Sequence, residues 1–149
     1  MLAASHAIAG AIIATHAPTP VTGFIIALLS HPILDFVPHW DFNTRYGKRS
    51  KFKTIAISLF DASLGIIPGM LLFPQVPLLI LLPTMLFAQG PDWLEAPYHV
   101  FDWHFPPFST IKRLQHLWHN KLGLPWGLVI QIIFLSALYV FSGSSIYPN

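Results

Sequence analysis

Long apolar runs, separated by prolines and short polar turns, constrain this chain more than any other feature of its sequence. The residues are 54% hydrophobic and only 9% charged, whereas a typical soluble domain is about 25% charged. Because a helix needs about 20 apolar residues to cross a bilayer, the runs predict an all-α membrane protein that forms one domain over residues 1–149. We expect a helix bundle with five membrane segments: Leu2–Thr15, Val21–Val37, Phe52–Phe73, Val76–Gln89 and Leu124–Phe141.

Two of these segments are short, and one further helix is expected outside the apolar runs. Four spans remain an alternative to five if Leu2–Thr15 lies shallow in the membrane. The prolines inside Val76–Gln89 leave open a kinked or partly re-entrant segment. Before the last segment, STIKRLQHLWHNKLG predicts a short helix capped by Ser109 or Thr110 and closed by Gly123. Its apolar stripe favours a position on the inner membrane surface.

The basic residues predict the orientation of the chain. All eight Lys and Arg side chains lie in two loops, one between the second and third segments and one between the fourth and fifth. The positive-inside rule places both loops and the N-terminus in the cytoplasm and the C-terminus outside. The N-terminus lacks the positive region of a secretory signal, so the first segment is expected to be retained. All five tryptophans fall near the predicted inner ends, where indole rings favour the headgroup level.

Charge and cysteine content exclude several kinds of function. The formal net charge is only +2, which provides no basic surface for nucleic acid. Membrane lipids are therefore the expected partners, and the oligomeric state is left open. The chain has no cysteine, so disulfides are excluded and a bound metal would need nitrogen and oxygen ligands. Eight histidines make such ligands abundant.

The predicted topology brings histidine and aspartate from five separate pieces of the chain to one membrane level. Charged residues inside a span cost at least about 2.5 kcal/mol, so they are normally paired, hydrated or coordinated. His31 and Asp35 share a helical face at i,i+4 spacing, and His116 and His119 do so at i,i+3 spacing. We therefore expect a divalent metal site, with zinc favoured over manganese or iron and with two ions allowed. The expected ligands are His6, His31, Asp35, His116 and His119, and the expected additional ligands or general bases are Asp61 and Asp92.

Several of these residues also have a purely structural interpretation. His6 alone would be hydrogen-bonded between helices, and Asp61 would cap or brace a helix through Ser58 or Ser63. Asp92 would cap a helix over WLEAPY. His39 and Asp41 follow a proline, so a role in a turn is as reasonable as ligation. The remaining candidates are expected to make surface or headgroup contacts from a loop: His99, Asp102 and His104.

Four short stretches resemble a known family. ASHAIAGA, ALLSHPILDFVPHWD, GPDWLE and LQHLWHNKLG occur in the same order as motifs of the small bacterial inner-membrane proteins described as membrane-bound metal-dependent hydrolases. This resemblance implies functional roles for His6, Asp92, His116 and His119. The family's paired-histidine motif has Arg-Gly between its histidines, where this chain reads HLWHN. The spacing of His31, Asp35 and His39 is also similar, over about ten residues, to one element of the all-helical zinc-dependent phospholipase C and nuclease superfamily.

These observations favour a membrane-embedded metal-dependent hydrolase with its site at the cytoplasmic face of the bacterial inner membrane. A lipid-linked phosphoester is the expected substrate, since the site would open at headgroup depth. Two alternatives remain. The chain could be a small proton or metal-ion carrier or channel component, with Asp35 and Asp61 as a relay, or a catalytically degenerate membrane scaffold.

Overall fold

The computed structural model of the chain describes residues 1–42 and 49–143, and in these residues the secondary structure is helical. The all-α prediction is confirmed. Part of the predicted basic loop, including Arg45 and Lys48, and the predicted outer tail from residue 144 onward lie outside the described residues. The helices are α1 Ala3–His16, α2 Pro20–Asp35, α3 Lys51–Leu72, α4 Leu78–Ala88, α5 Gly90–Val100, α6 Phe108–Trp118 and α7 Trp126–Ser142.

Helix α1 lies at the centre of the fold. It packs against α2, α3, α4 and α7, and its Ala7 and Ile12 are buried in the main apolar cluster with Leu81 and Met85 of α4. A Cβ atom on Gly10 would lie 2.9 Å from the Cα of Met85, so the backbones of α1 and α4 are in close contact. The small residues of α1 therefore allow the other helices to surround it.

Side chains from α3, from α7 and from the junction of α4 and α5 hold the beginning of α1. Gln131 Oε1 of α7 accepts hydrogen bonds from the Leu2 amide and the Ser5 hydroxyl. Gln89, after α4, donates from its amide nitrogen to the Ala3 carbonyl oxygen at 2.9 Å. Asp61 of α3 accepts from two further amides of α1. Because the first amides of a helix have no partner within the helix, these contacts set both the start and the position of α1.

Helix lengths support the membrane prediction in part. By length and composition, α3 is long and apolar enough to cross a bilayer, with 22 residues and a mean hydropathy of 1.9 in its best window. Helices α2, α4 and α7 are apolar but have between 10 and 17 residues. Among the described residues, one of the five predicted spans is therefore a clear candidate.

The predicted loop between the fourth and fifth segments contains two helices, α5 and α6, and the predicted ends of α6 are wrong. Helix α6 begins at Phe108 without a side-chain cap, so neither Ser109 nor Thr110 caps it, and it ends at Trp118 rather than near Gly123. The reason is tertiary: the chain after Trp118 turns extended and pairs with the segment after α2. His39 forms an isolated parallel bridge there.

Candidate metal centre

His31 lies in the last turns of α2 and is oriented by a backbone contact from another helix. Its Nδ1 lies 2.8 Å from the carbonyl oxygen of Ala88, at the end of α4. A carbonyl accepts only, so Nδ1 carries the proton and donates it. The other ring nitrogen, Nε2, lies 3.4 Å from Asp35 Oδ2 and 3.5 Å from Asp92 Oδ1. Within the described residues it is buried and makes no hydrogen bond. Facing two carboxylates, it occupies a position that suits a proton or a metal ion.

His6 completes the first group of candidate ligands. Its Nε2 lies 3.2 Å from Asp35 Oδ1, and its ring stacks on that of His31 with 3.8 Å between centroids and 13° between planes. Two stacked imidazolium ions would repel each other, so the stack favours neutral rings, which is the form that binds metals. One ligand atom from each of His6, His31 and Asp35 can be chosen so that all lie within 4.8 Å of one another.

The contact distances in this group agree with the dimensions of a zinc site. Two ligand atoms on a tetrahedral zinc ion with bonds of roughly 2.0–2.1 Å are separated by about 3.3 Å. The distances from Asp35 oxygens to His6 Nε2 and His31 Nε2 are 3.2 and 3.4 Å. The amino group of Met1 also contacts Asp35 Oδ1, so a positive group already lies against this carboxylate. The spacing of the three side chains fits a cation, which would take the place of this amino group against Asp35.

A second group shares Asp35 with the first. Ligand atoms of Asp35, His39 and His119 also lie within 4.8 Å of one another. The Nε2 atoms of His39 and His119 are 2.9 Å apart, and His39 Nδ1 donates to the Val37 carbonyl oxygen at 2.7 Å. Burial lowers the pKa of His39 to about 4, and the nearby amino terminus acts in the same direction. His39 is therefore neutral at pH 7.

Asp41 links His119 to a lysine. Its Oδ2 lies 3.5 Å from His119 Nε2 and 2.6 Å from Lys121 Nζ. Burial raises the pKa of Asp41, but the contacts with His119 and Lys121 outweigh burial, so the pKa lies well below its usual range. Asp41 is therefore a carboxylate at neutral pH and supports the orientation of His119.

A cavity of about 410 Å³ opens beside both groups. Its lining includes His119 of the second group and Asp92, which contacts His31 of the first. Lys112 and Lys121 contribute positive charge, and Ile57 and Val100 contribute apolar wall. The cavity can therefore take a ligand that has both an anionic and an apolar part.

Asp92 is positioned by the start of α5, inside its first turn. Gln89 is the N-cap residue, so the interpretation of Asp92 as the cap is wrong. The Asp92 side chain is 38% exposed because it faces the cavity. Burial by the cavity walls raises its pKa to about 6, although His31 acts in the opposite direction. Near neutral pH this carboxyl group is close to its own pKa and can exchange a proton.

Asp61 lines the same cavity, but its contacts are with backbone. Its two carboxylate oxygens accept from the amides of Ala3 and Ala4 at 3.0 and 3.2 Å. Of the two serines suggested as its partners, Ser58 and Ser63, Ser63 instead donates to the carbonyl oxygen of Leu59 at 2.8 Å. Within the described residues, neither candidate ligand group includes Asp61. The geometry favours Asp61 as the cap of α1, and this contact holds in place the helix that carries His6.

Replacing Asp61 with alanine is expected to destabilise the folded protein by about 1–2 kcal/mol, the usual cost of a lost helix cap, and to leave its metal content unchanged. Thermal unfolding in detergent and elemental analysis measure the two effects. Ser63→Ala is the control, because its hydroxyl group donates to the carbonyl oxygen of Leu59 in the preceding turn of its own helix. Loss of metal by Asp61→Ala at unchanged stability would contradict the capping role and favour a direct role in the site.

Three further residues considered in the sequence, His116, Asp102 and His104, lie outside both ligand groups within the described part of the chain. His116 is exposed on α6 and lines the cavity, but among the described residues it belongs to neither ligand group. Helix α6 ends between His116 and His119, so their predicted shared face does not form. Asp102 pairs with Lys51 at 2.6 Å and is exposed. His104 is exposed too, against the ring of Tyr98.

The assignment of His99 to the surface is wrong. Its side chain is only 5% exposed, and its Nε2 lies 2.6 Å from Glu95 Oε1. Lys112 of α6 reaches the same oxygen at 2.7 Å. Burial raises the pKa of Glu95, but hydrogen bonds to His99 and Lys112 outweigh it, so the pKa lies below its usual value. This contact joins α5 to α6 beside the cavity.

The sequence is compatible with either a turn or a ligand role for His39, and the structure places it in a candidate ligand group. The signal available was its spacing, since His31, Asp35 and His39 follow one another at intervals of four residues. The proline before His39 correctly indicated that α2 would not continue to it. Backbone pairing with Asn120 and Leu122 brings it to the site instead.

No model of a known protein family, no curated protein and no solved structure matches the chain. Any function must therefore be inferred from the geometry of the site.

Proposed function

We propose that this chain is an integral membrane hydrolase that binds a divalent metal ion at His6, His31 and Asp35 and cleaves a lipid-linked phosphoester. The observation that carries the proposal is the environment of His31 Nε2. This nitrogen is buried, its tautomer is set by the Ala88 carbonyl oxygen, and it faces the carboxylates of Asp35 and Asp92. A hydrogen bond from the far nitrogen to a carbonyl is the usual way in which a metal-binding histidine is oriented.

The chain contributes ligands, orientation and a proton carrier. His6, His31 and Asp35 supply nitrogen and oxygen donors that suit zinc first, with manganese or iron as alternatives. When bound, such an ion polarises a phosphoryl oxygen and lowers the pKa of water at the site. Asp92 lies beside His31 and lines the cavity, so it can take or return a proton at the reacting group.

The cavity supports a substrate with an anionic head and an apolar tail. Lys112 and Lys121, 34% and 51% exposed in their side chains, can approach a phosphate, while Ile57 and Val100 can contact hydrocarbon. Large apolar side chains such as Leu71, 74% exposed, lie on the outer face of α3, where lipid would cover them. The basic loops favour a cytoplasmic site, and the resemblance to small bacterial inner-membrane proteins favours that membrane.

The test is a phosphodiesterase assay with the protein purified in detergent without chelators, and with its metal content measured. We expect His31→Gln to lower both zinc content and hydrolysis. The loss of hydrolysis should exceed about 100-fold, because removing a residue that merely supports a metal ligand already lowers metal affinity or activity by about 10–100-fold. The matched control is His104→Gln, an exposed histidine outside both groups, which should stay within about twofold of the parent.

Two results would contradict the proposal. One is equal metal content and hydrolysis in His31→Gln and the parent protein. The other is ion flux through liposomes without hydrolysis by the parent protein, which would favour the carrier instead. The structure gives the carrier no specific support, because Asp61, one member of its predicted relay, is hydrogen-bonded to the backbone of α1.

A further inference from the structure

The second group of ligand atoms has the features of a site in its own right. His39 is completely buried, and its Nδ1 donates to Val37, so the lone pair of Nε2 points toward His119 Nε2 at 2.9 Å. When no ion is bound, nitrogens this close share a hydrogen atom that His119 Nε2 donates, and a metal ion between them would take the place of that hydrogen after the two rings separate by a few tenths of an ångström. Asp35 supplies an oxygen to the same place.

The backbone holds this group in position independently of its side chains. The His39 amide donates to the Asn120 carbonyl oxygen at 3.0 Å, and the Leu122 amide donates to the His39 carbonyl oxygen at 2.7 Å. The Asn120 amide donates to the carbonyl oxygen of Asp35 at 3.1 Å. The segments that carry all three ligands are therefore joined to one another, which lowers the cost of ordering a metal site.

Charge around the cavity also favours a bound cation. The carboxylates of Asp41, Asp61, Asp92 and Glu95 line it, and Asp35 lies behind them in contact with His31. Among the described residues, Lys112 pairs with Glu95, Lys121 with Asp41, and the amino group of Met1 with Asp35. A divalent ion would compensate the negative charge that Asp61 and Asp92 add.

We propose that a second divalent ion binds to Asp35, His39 and His119, so that Asp35 bridges two ions. Asp41, which contacts His119 and Lys121, supports this ion from outside. His119 lines the cavity, so the second ion is the one nearer to an entering phosphate. Two adjacent ions suit displacement at a phosphoester, because they stabilise the attacking and leaving oxygens together. The number of ions stands on the ligand geometry, and only their catalytic use rests on the proposed function.

Zinc content per chain tests the second site directly. After equilibration with zinc and removal of free ion, we expect about two ions in the parent protein and about one each in His39→Gln and His31→Gln. The control is His16→Gln, a partly buried histidine at the other end of α1 whose Nε2 contacts Ser142, which should keep about two. About one ion in both the parent and His39→Gln would overturn the second site.

A measurement on the parent protein avoids dependence on the folding of variants. When the protein is loaded with manganese, two bridged ions should give a spin-coupled electron paramagnetic resonance spectrum, whereas uncoupled signals at full occupancy would overturn the bridge.

Failure of this inference differs from failure of the proposed function. One ion with hydrolysis retained refutes only the second site, and two ions without hydrolysis of any phosphoester refute only the hydrolase. Binding of no ion refutes both.

Discussion

Asp35→Asn is expected to lose metal from both ligand groups and to lower phosphoester hydrolysis by more than about 100-fold. No other described residue belongs to both groups, so no other substitution of a single proposed ligand should remove both ions. Asparagine keeps the shape of the side chain but removes the negative charge and one acceptor oxygen. Both oxygens are in use, since Oδ1 faces His6 and Oδ2 faces His31.

The comparison with single-group variants makes this prediction specific. His31→Gln and His39→Gln should each remove one ion, while Asp35→Asn should remove both, as measured by elemental analysis of detergent-purified protein. The matched control is Asp102→Asn, since Asp102 is an exposed aspartate paired only with Lys51 among the described contacts. Zinc content in Asp35→Asn equal to that of the parent would refute the central position of Asp35. Comparing its unfolding temperature with that of chelator-treated parent separates loss of metal from loss of fold.

Gly65→Ala is expected to destabilise the protein by about 1–3 kcal/mol or more, the range for overpacking. A Cβ atom at this position of α3 would lie 2.5 Å from the Cα of Ala4 and would also meet its carbonyl oxygen. These are backbone atoms of α1, so no side-chain rotation relieves the clash and the helices must separate. The control is Gly123→Ala, where the added atom would meet nothing within 4 Å.

The same substitution should weaken metal binding, because it acts at the end of α1 that carries His6. Asp61, one turn before Gly65, accepts from the amides of Ala3 and Ala4, and separation of α1 from α3 would lengthen these bonds. Thermal unfolding in detergent and zinc titration check both effects, with about 2–4 °C expected per kcal/mol for a chain of this size. Equal melting temperatures for Gly65→Ala and Gly123→Ala would show that this crossing does not limit stability.

Part of the candidate site could be predicted because it depends on local geometry. His31 and Asp35 lie one turn apart on a helix, so their shared face follows from helical spacing. His6 was placed beside them by its depth in the first segment, and the structure stacks it on His31. His116 and His119 satisfied a similar rule, but the rule failed because α6 ends between them.

The sequence by itself determined the helical class of the protein and the pairing of His31 with Asp35, since apolar runs and i,i+4 spacing act within one segment. Only the tertiary structure decided that His39 and His119 meet, because hydrogen bonds between segments 80 residues apart end α6 and place both rings. It also decided that Asp61 contacts the amides of α1, because a helix N-terminus can accept any carboxylate that packing brings near. Contacts between distant segments carry no local periodicity, so only the packing of the whole fold selects them.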